Sequence, residues 1–224
     1  MKGTSFYSRK LHSLLGVIPL GLFIIEHMLT NYSAFEGGQE GFNASVKFLN
    51  DLPLIFFLEL FGIWLPLLFH GVYGLYIAYQ AKNNVGSYSY GRNVMFMLQR
   101  LTGVITFIFV VWHFYDTRFQ LALGTVTHEG LGGHMNGIVS NPLFFAFYVI
   151  GVISAVFHFS NGIWSFLVSW GITVGPRAQR VSSYICMGMF VIVATLFILS
   201  LVAFRGDEFQ AATAMLNSVT AVLG

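Results

Sequence analysis

Residues 65–79, LPLLFHGVYGLYIAY, set a single histidine, His70, inside an otherwise apolar run. A run of this length with no Asp, Glu, Lys or Arg points to a helix that crosses a membrane. The composition extends that reading to the whole chain, because 56% of its 224 residues are hydrophobic and only 9% are charged, against roughly 25% charged in an ordinary soluble domain. Spans of about 20 apolar residues are found near 11–30, 54–80, 95–117, 142–170 and 182–204. The expected fold is all-α and integral to the membrane, with five transmembrane helices, the first four forming a four-helix bundle. Residues 1–204 read as a single domain and 205–224 as an external C-terminal tail.

Glu26 and His27 near the end of the first run, and the lack of a small-residue cleavage site, mark it as a retained helix. With the N-terminus inside, Lys2, Arg9, Lys10, Lys82, Arg92, Arg100, Arg177 and Arg180 fall on the inner side, and Lys47, Arg118 and Arg205 on the outer. That asymmetry predicts a cytoplasmic N-terminus and an external C-terminus. The net charge of +2 is then a topology signal and gives no case for nucleic-acid binding.

Cys186 is the sole cysteine, too few for an iron–sulfur cluster, and no C-x-x-C-H attaches haem covalently. No G-x-G-x-x-G or phosphate loop occurs, which assigns any flavin or nucleotide chemistry to a partner chain. The remaining chemistry lies in the histidines. Four of the seven fall within spans: His27, His70, His113 and His158, one on each of the first four helices. Ionisable residues in such positions are rare and usually functional.

Each lies about 16 to 18 residues after its helix begins, roughly 24 Å along the axis at 1.5 Å per residue. Since successive helices alternate in direction, His27 and His113 are expected near the outer surface and His70 and His158 near the inner. The two levels would differ by roughly 15 to 18 Å in a span of about 30 Å. Two pairs at two depths suit two haems, each clamped between imidazoles from different helices. Zinc would need its ligands converging at about 2 Å, and a proton relay would need carboxylates at mid-depth, where Glu26 and Glu59 are the only acidic candidates and lie toward the outer side.

Gly74 and Gly162 follow His70 and His158 by four positions, in HGVYG and HFSNG, one turn away on the same face. Such glycines leave room for a flat macrocycle, although glycine is common at any transmembrane helix contact. A second echo, LLGVI before His27 and LTGVI before His113, relates the first helix to the third.

The segments FYSRKLHSLLGVIP (6–19), LPLLFHGVYGLYIAY (65–79), AKNNVGSYSYGRN (81–93), MLQRLTGVITFIFVVWH (97–113) and FHFSNGIWSFLVSWGITV (157–174) resemble the cytochrome b membrane anchors of succinate:menaquinone oxidoreductases. These are the five-helix, two-haem anchors of succinate dehydrogenase found in Gram-positive bacteria, and the likeness runs from residue 5 to about 200. It implies a bacterial cytoplasmic membrane protein carrying two haem b groups, with His70 and His158 as the inner axial pair and His27 and His113 as the outer. It implies flavoprotein and iron–sulfur partner subunits on the cytoplasmic side and menaquinone as electron acceptor. Because menaquinone is a poor oxidant for succinate, it also implies that the reaction is coupled to the membrane potential. Related anchors serve fumarate reductases working in the opposite direction. Diheme anchors of hydrogenases or formate dehydrogenases, and a non-redox transport or assembly protein, are the more distant alternatives.

A quinone needs a hydrogen-bond donor for its carbonyl and a proton path, and the candidates beside the outer pair are Asn31, Asn43, Asp51, Trp112 and Asp116. Each also has a simpler reading, as a cap for Asp51 or an aromatic-belt anchor for Trp112. His12, with Arg9 and Lys10, sits at the inner end of the first helix, where propionates or a partner can use positive charge. His128 and His134, in the glycine-rich run THEGLGGHMNG (127–137) that reads as an outer loop, are expected to face solvent. Residues 33–53 read as an outer loop with an amphipathic middle, GFNASVKFLND, that suits a short helix lying in the interface.

Overall fold

The computed structural model describes residues 2–82 and 84–210, with side chains from residue 6 onward. The described residues are mostly helical, with no strand among them. In chain order the helices are α1 (Lys2–Val17), α2 (Pro19–Asn50), α3 (Ile55–Glu59), α4 (Leu65–Gln80), α5 (Gly91–Asp116), α6 (Arg118–Leu123), α7 (Leu131–Ser140), α8 (Pro142–Ser169) and α9 (Pro176–Ala203), with a π-helical turn, Leu60–Trp64, joining α3 to α4. Among the described residues, five segments are long and apolar enough to cross a membrane: Phe6–Asn50, Ile55–Gln80, Gly91–Leu123, Pro142–Ser169 and Pro176–Ala203.

Proline and glycine punctuate these helices. Pro19, Pro142 and Pro176 open α2, α8 and α9, where a missing amide costs nothing. Across the α1–α2 joint the ladder runs on, with Ile18 donating to Leu14 and Leu22 to Ile18. Asn141 caps α8 by accepting the amides of Leu143 at 2.9 Å and Phe144 at 3.4 Å. At its other end Gly171, with φ 70°, donates to Val168 while Ile172 donates to Leu167, the paired closure of a Schellman motif.

Two segments expected as outer loops differ from expectation. The helix expected only for the middle of residues 33–53 takes in most of that segment: α2 continues to Asn50 and breaks only at Gly38, with φ 60° and ψ −148°. The Glu208 carboxylate fills the space a side chain at Gly38 would need and accepts the amide of Gln39 at 3.3 Å. The glycine-rich run THEGLGGHMNG likewise contributes a packed helix, α7, with Gly132, Gly133, Met135, Asn136 and Val139 buried. Glycine there allows close approach, since a Cβ on Gly132 would overlap Gln39 and lie 2.9 Å from Phe209. Asn136 donates to the Phe204 carbonyl at 2.8 Å, which satisfies a polar group that would otherwise be costly to bury.

Packing divides the chain into two compact units. Unit 1 holds the described residues through Ile25, Phe56–Phe107 and Ile153–Val193. Here α1 packs on α4, Lys10 reaches the Ser169 carbonyl and the Trp170 ring, and Arg92 lies over Trp164, 3.6 Å from the ring centre. Unit 2 holds Glu26–Ile55, Ile108–Val152 and the described residues from Ala194 on. Its core includes Phe42, Phe109, Val139, Tyr148, Phe204 and Phe209. Leu68, Val72, Ile108 and Val191 are more than half exposed, the outward apolar surface that lipid covers. Residues 211–224, which make up most of the expected external tail, lie outside the described residues.

Candidate functional site

In unit 1, α4 and α8 bring His70 and His158 together with ring centres 6.1 Å apart and planes at 82°. Each ring is held from behind by a main-chain carbonyl. His70 Nδ1 lies 2.9 Å from the His12 oxygen, and His158 Nδ1 lies 2.9 Å from the Gln99 oxygen. A carbonyl only accepts, so both rings donate through Nδ1–H and keep the lone pair on Nε2. Gln99 binds His158 a second time, donating from Nε2 to its carbonyl at 2.9 Å, and is itself braced by Asn161 Nδ2 at 2.7 Å. The His12 ring stacks on His70, with centres 4.0 Å apart and planes at 7°.

In unit 2, α2 and α5 bring His27 and His113 together with ring centres 5.8 Å apart and planes at 68°. Tyr148, 1% exposed, places its hydroxyl 3.3 Å from His113 Nδ1. Phe109 stacks on His113 at 5.7 Å and is seated against Gly151, where a Cβ would overlap its ring. Asn31, one turn beyond His27, donates to the His27 carbonyl at 2.8 Å.

These distances bear on what each pair can hold. With metal–nitrogen bonds of about 2 Å, and roughly 1 Å more to each ring centre, two imidazoles on opposite sides of one metal have centres about 6 Å apart. Both pairs match that spacing. Among the described residues no three His, Cys, Asp or Glu side chains converge as a chelating group, so the donor set is two imidazoles at each place. That set fits a haem iron whose macrocycle fills the equatorial positions, and the Nδ1–H bonds to carbonyls are the usual means of fixing the ligating tautomer.

The glycines fall differently from their sequence reading. A Cβ on Gly74 would meet His12 Nε2 at 3.0 Å, and one on Gly162 would meet Gln99 Nε2 at 3.4 Å. The glycines that abut the rings of His70 and His158 are Gly16 and Gly103, those of LLGVI and LTGVI. A Cβ on Gly16 would overlap His70 Cε1 and lie 2.7 Å from its Nδ1, while one on Gly103 would lie 2.8 Å from His158 Cε1.

All five quinone candidates belong to unit 2. Asn31 is bonded as described. Trp112, beside His113, stacks on Phe144 at 5.7 Å. The Asp116 carbonyl accepts from His134 Nε2 at 2.6 Å, with its carboxylate 3.8 Å from the same nitrogen. His134 is thus partly buried and engaged, contrary to its expected place in solvent, because α7 folds inward on its glycines. Asn43 accepts from Gln39 at 2.8 Å, and Asp51 forms an exposed ion pair with Lys47 at 2.7 Å. His128 is exposed beside Asn50.

The residues that sequence reasoning passed over are Gln99, Tyr148, Gly16 and Gly103, together with the stacking role of His12. For the glycines a signal existed, the LLGVI and LTGVI echo. It gave no hint of which neighbouring helix each glycine faces.

Comparison with known proteins agrees with this architecture. Residues 80–203 match the family model described as the succinate dehydrogenase/fumarate reductase transmembrane subunit. The chain is 50% identical over 199 residues to the succinate dehydrogenase cytochrome b558 subunit of Bacillus subtilis (strain 168), an alignment covering 89% of this chain and 96% of that protein. With the five apolar spans and the paired histidines, these likenesses lead to one conclusion: the chain belongs to the family of succinate dehydrogenase/fumarate reductase transmembrane subunits.

Proposed function

We propose that this chain is the diheme cytochrome b anchor of a succinate:menaquinone oxidoreductase, holding an inner haem b between His70 and His158 and an outer one between His27 and His113. The observation that carries the reading is one geometry met twice, an imidazole pair with centres near 6 Å and Nδ1 engaged on at least one member. The name of the Bacillus subtilis relative, a succinate dehydrogenase cytochrome b558 subunit, supports succinate oxidation over fumarate reduction as the working direction.

Haem b, when bound at the two places, supplies the one-electron relay by which electrons from a flavoprotein and an iron–sulfur partner on the cytoplasmic side reach menaquinone near the outer surface. The protein's part is to hold and orient the imidazoles. His12 and Gln99 fix the Nε2 lone pairs of the inner pair through their carbonyls, and Tyr148 sits against His113 for the outer pair. His70 with His158, and His27 with His113, would each hold a haem through two imidazoles, which would supply electron transfer and not binding of small ligands. Asn31, Asn43, Asp51, Trp112 and Asp116 are the proposed quinone-site residues, with Asn31 and Asp116 offering hydrogen-bonding groups one turn from His27 and His113. The Lys and Arg distribution supports a cytoplasmic N-terminus and an external C-terminus in a bacterial cytoplasmic membrane, with residues 1–204 as one transmembrane domain and 205–224 outside.

The test is a dithionite-reduced minus oxidised visible spectrum of the complex with a haem-to-protein ratio, followed by redox titration. Two low-spin b haems per chain with two midpoint potentials, neither reacting with carbon monoxide, are expected. Absence of haem in the complex purified with its partners from haem-sufficient cells would overturn the reading.

A further inference from the structure

We infer that the inner imidazoles are set by one device used twice: a helix carbonyl that accepts Nδ1–H, and a glycine four residues on that vacates the space for the ring. For His70 the pair is the His12 carbonyl and Gly16, and for His158 it is the Gln99 carbonyl and Gly103. The inference rests on the haem reading above and assigns Gly16 and Gly103 as positioning residues for the inner site.

The geometry explains why carbonyl and glycine come together. In an α-helix the carbonyl of residue i already receives the amide of residue i+4, so a second donor must approach it across the surface at i+4. A Cβ there stands in the way. In both cases the closest ring atoms to the absent Cβ are Cε1 and Nδ1, the edge that carries the hydrogen bond. Glycine thus lets an imidazole share an occupied carbonyl, which orients the ring and assigns its tautomer in one contact. The outer pair is set differently, His113 Nδ1 facing the Tyr148 hydroxyl. The LLGVI and LTGVI echo therefore places its glycines in the spans of His27 and His113 while serving the ligands of the other pair.

The experiment compares Gly16→Ala and Gly103→Ala in the full complex with Gly188→Ala, a position where an added methyl would meet nothing within 4 Å. Readouts are the low-temperature electron paramagnetic resonance of each ferric haem and the two midpoint potentials. The expected result is an inner haem whose g-value and potential move, or which is lost, with the outer haem's signal and potential kept and both unchanged in Gly188→Ala. An inner haem unaltered in both Gly16→Ala and Gly103→Ala overturns the inference, whereas an unsubstituted complex without two haems overturns the reading beneath it. If an alanine variant loses both haems, His70→Gly decides. Imidazole should restore the low-spin inner haem at a concentration about tenfold or more below that needed for 1-methylimidazole, which ligates iron but has no N–H for the His12 carbonyl. Equal rescue by the two overturns the device.

Discussion

Tyr148 shows how a single side chain separates the two pairs. Its hydroxyl is the group against His113 Nδ1, and its ring is fully enclosed by unit 2. Tyr148→Phe keeps the packing and removes only the oxygen, at a stability cost of about 1 kcal/mol. Because that partner tunes the electron donation of the ligand, the midpoint potential of the haem proposed between His27 and His113 should move while that of the other proposed haem stays, which a redox titration of the variant reads directly. Asp51 presents the opposite situation. Its carboxylate is exposed and engaged by Lys47, so Asp51→Asn should leave folding and haem content unchanged. If Asp51 belongs to the quinone site the variant lowers quinone reduction; an unchanged rate at normal haem content removes it.

At the scale of the element, the break in α2 is the feature on which unit 2 depends. Gly38 adopts φ 60° and ψ −148°, a region that costs other residues on the order of 1–3 kcal/mol, and the Glu208 carboxylate occupies the space beside it. Gly38→Ala should therefore destabilise the outer helical turns by about 2 kcal/mol or more, seen as a lower midpoint in thermal unfolding of the detergent-solubilised complex. Glu208→Gln should be milder, since an amide oxygen still accepts the Gln39 amide. The π-helical turn at Leu60–Trp64 shifts the register ahead of α4, which otherwise rises from Pro66 without interruption to His70 and beyond.

For the molecule as a whole, the proposed passage of electrons between two depths ties the reaction to the membrane potential. Moving one charge across 100 mV is worth about 2.3 kcal/mol, so succinate oxidation by menaquinone in sealed vesicles should slow when an uncoupler collapses the potential. Equal rates in energised and uncoupled vesicles would show that the protons taken up by the quinone come from the side on which succinate oxidation releases its own, so that no net charge crosses. Spectra of His27 and His113 variants should lose one haem, and those of His70 and His158 variants the other. Loss of the same haem from all four would contradict the pairing.

The number of spans among the described residues was legible in the sequence, with close boundaries at four of them and a first helix that runs well beyond the expected 11–30 to Asn50, because hydropathy is a property of the chain alone. The run at 142–170 returns as α8, Pro142–Ser169, opened by a proline and its asparagine cap, both local signals. What surrounds each imidazole was decided only by tertiary structure. The THEGLGGHMNG run and the first part of 33–53 looked like loop since polar and glycine residues weaken a periodicity, yet Glu208, far along the chain, caps one helix and closely packed glycines hold the other. Gln99 and His12 became visible as partners of His158 and His70 only once helix faces met. A backbone carbonyl belongs to every residue type, so no residue pattern marks the one that will be used; the direction from which a neighbouring helix approaches makes the choice.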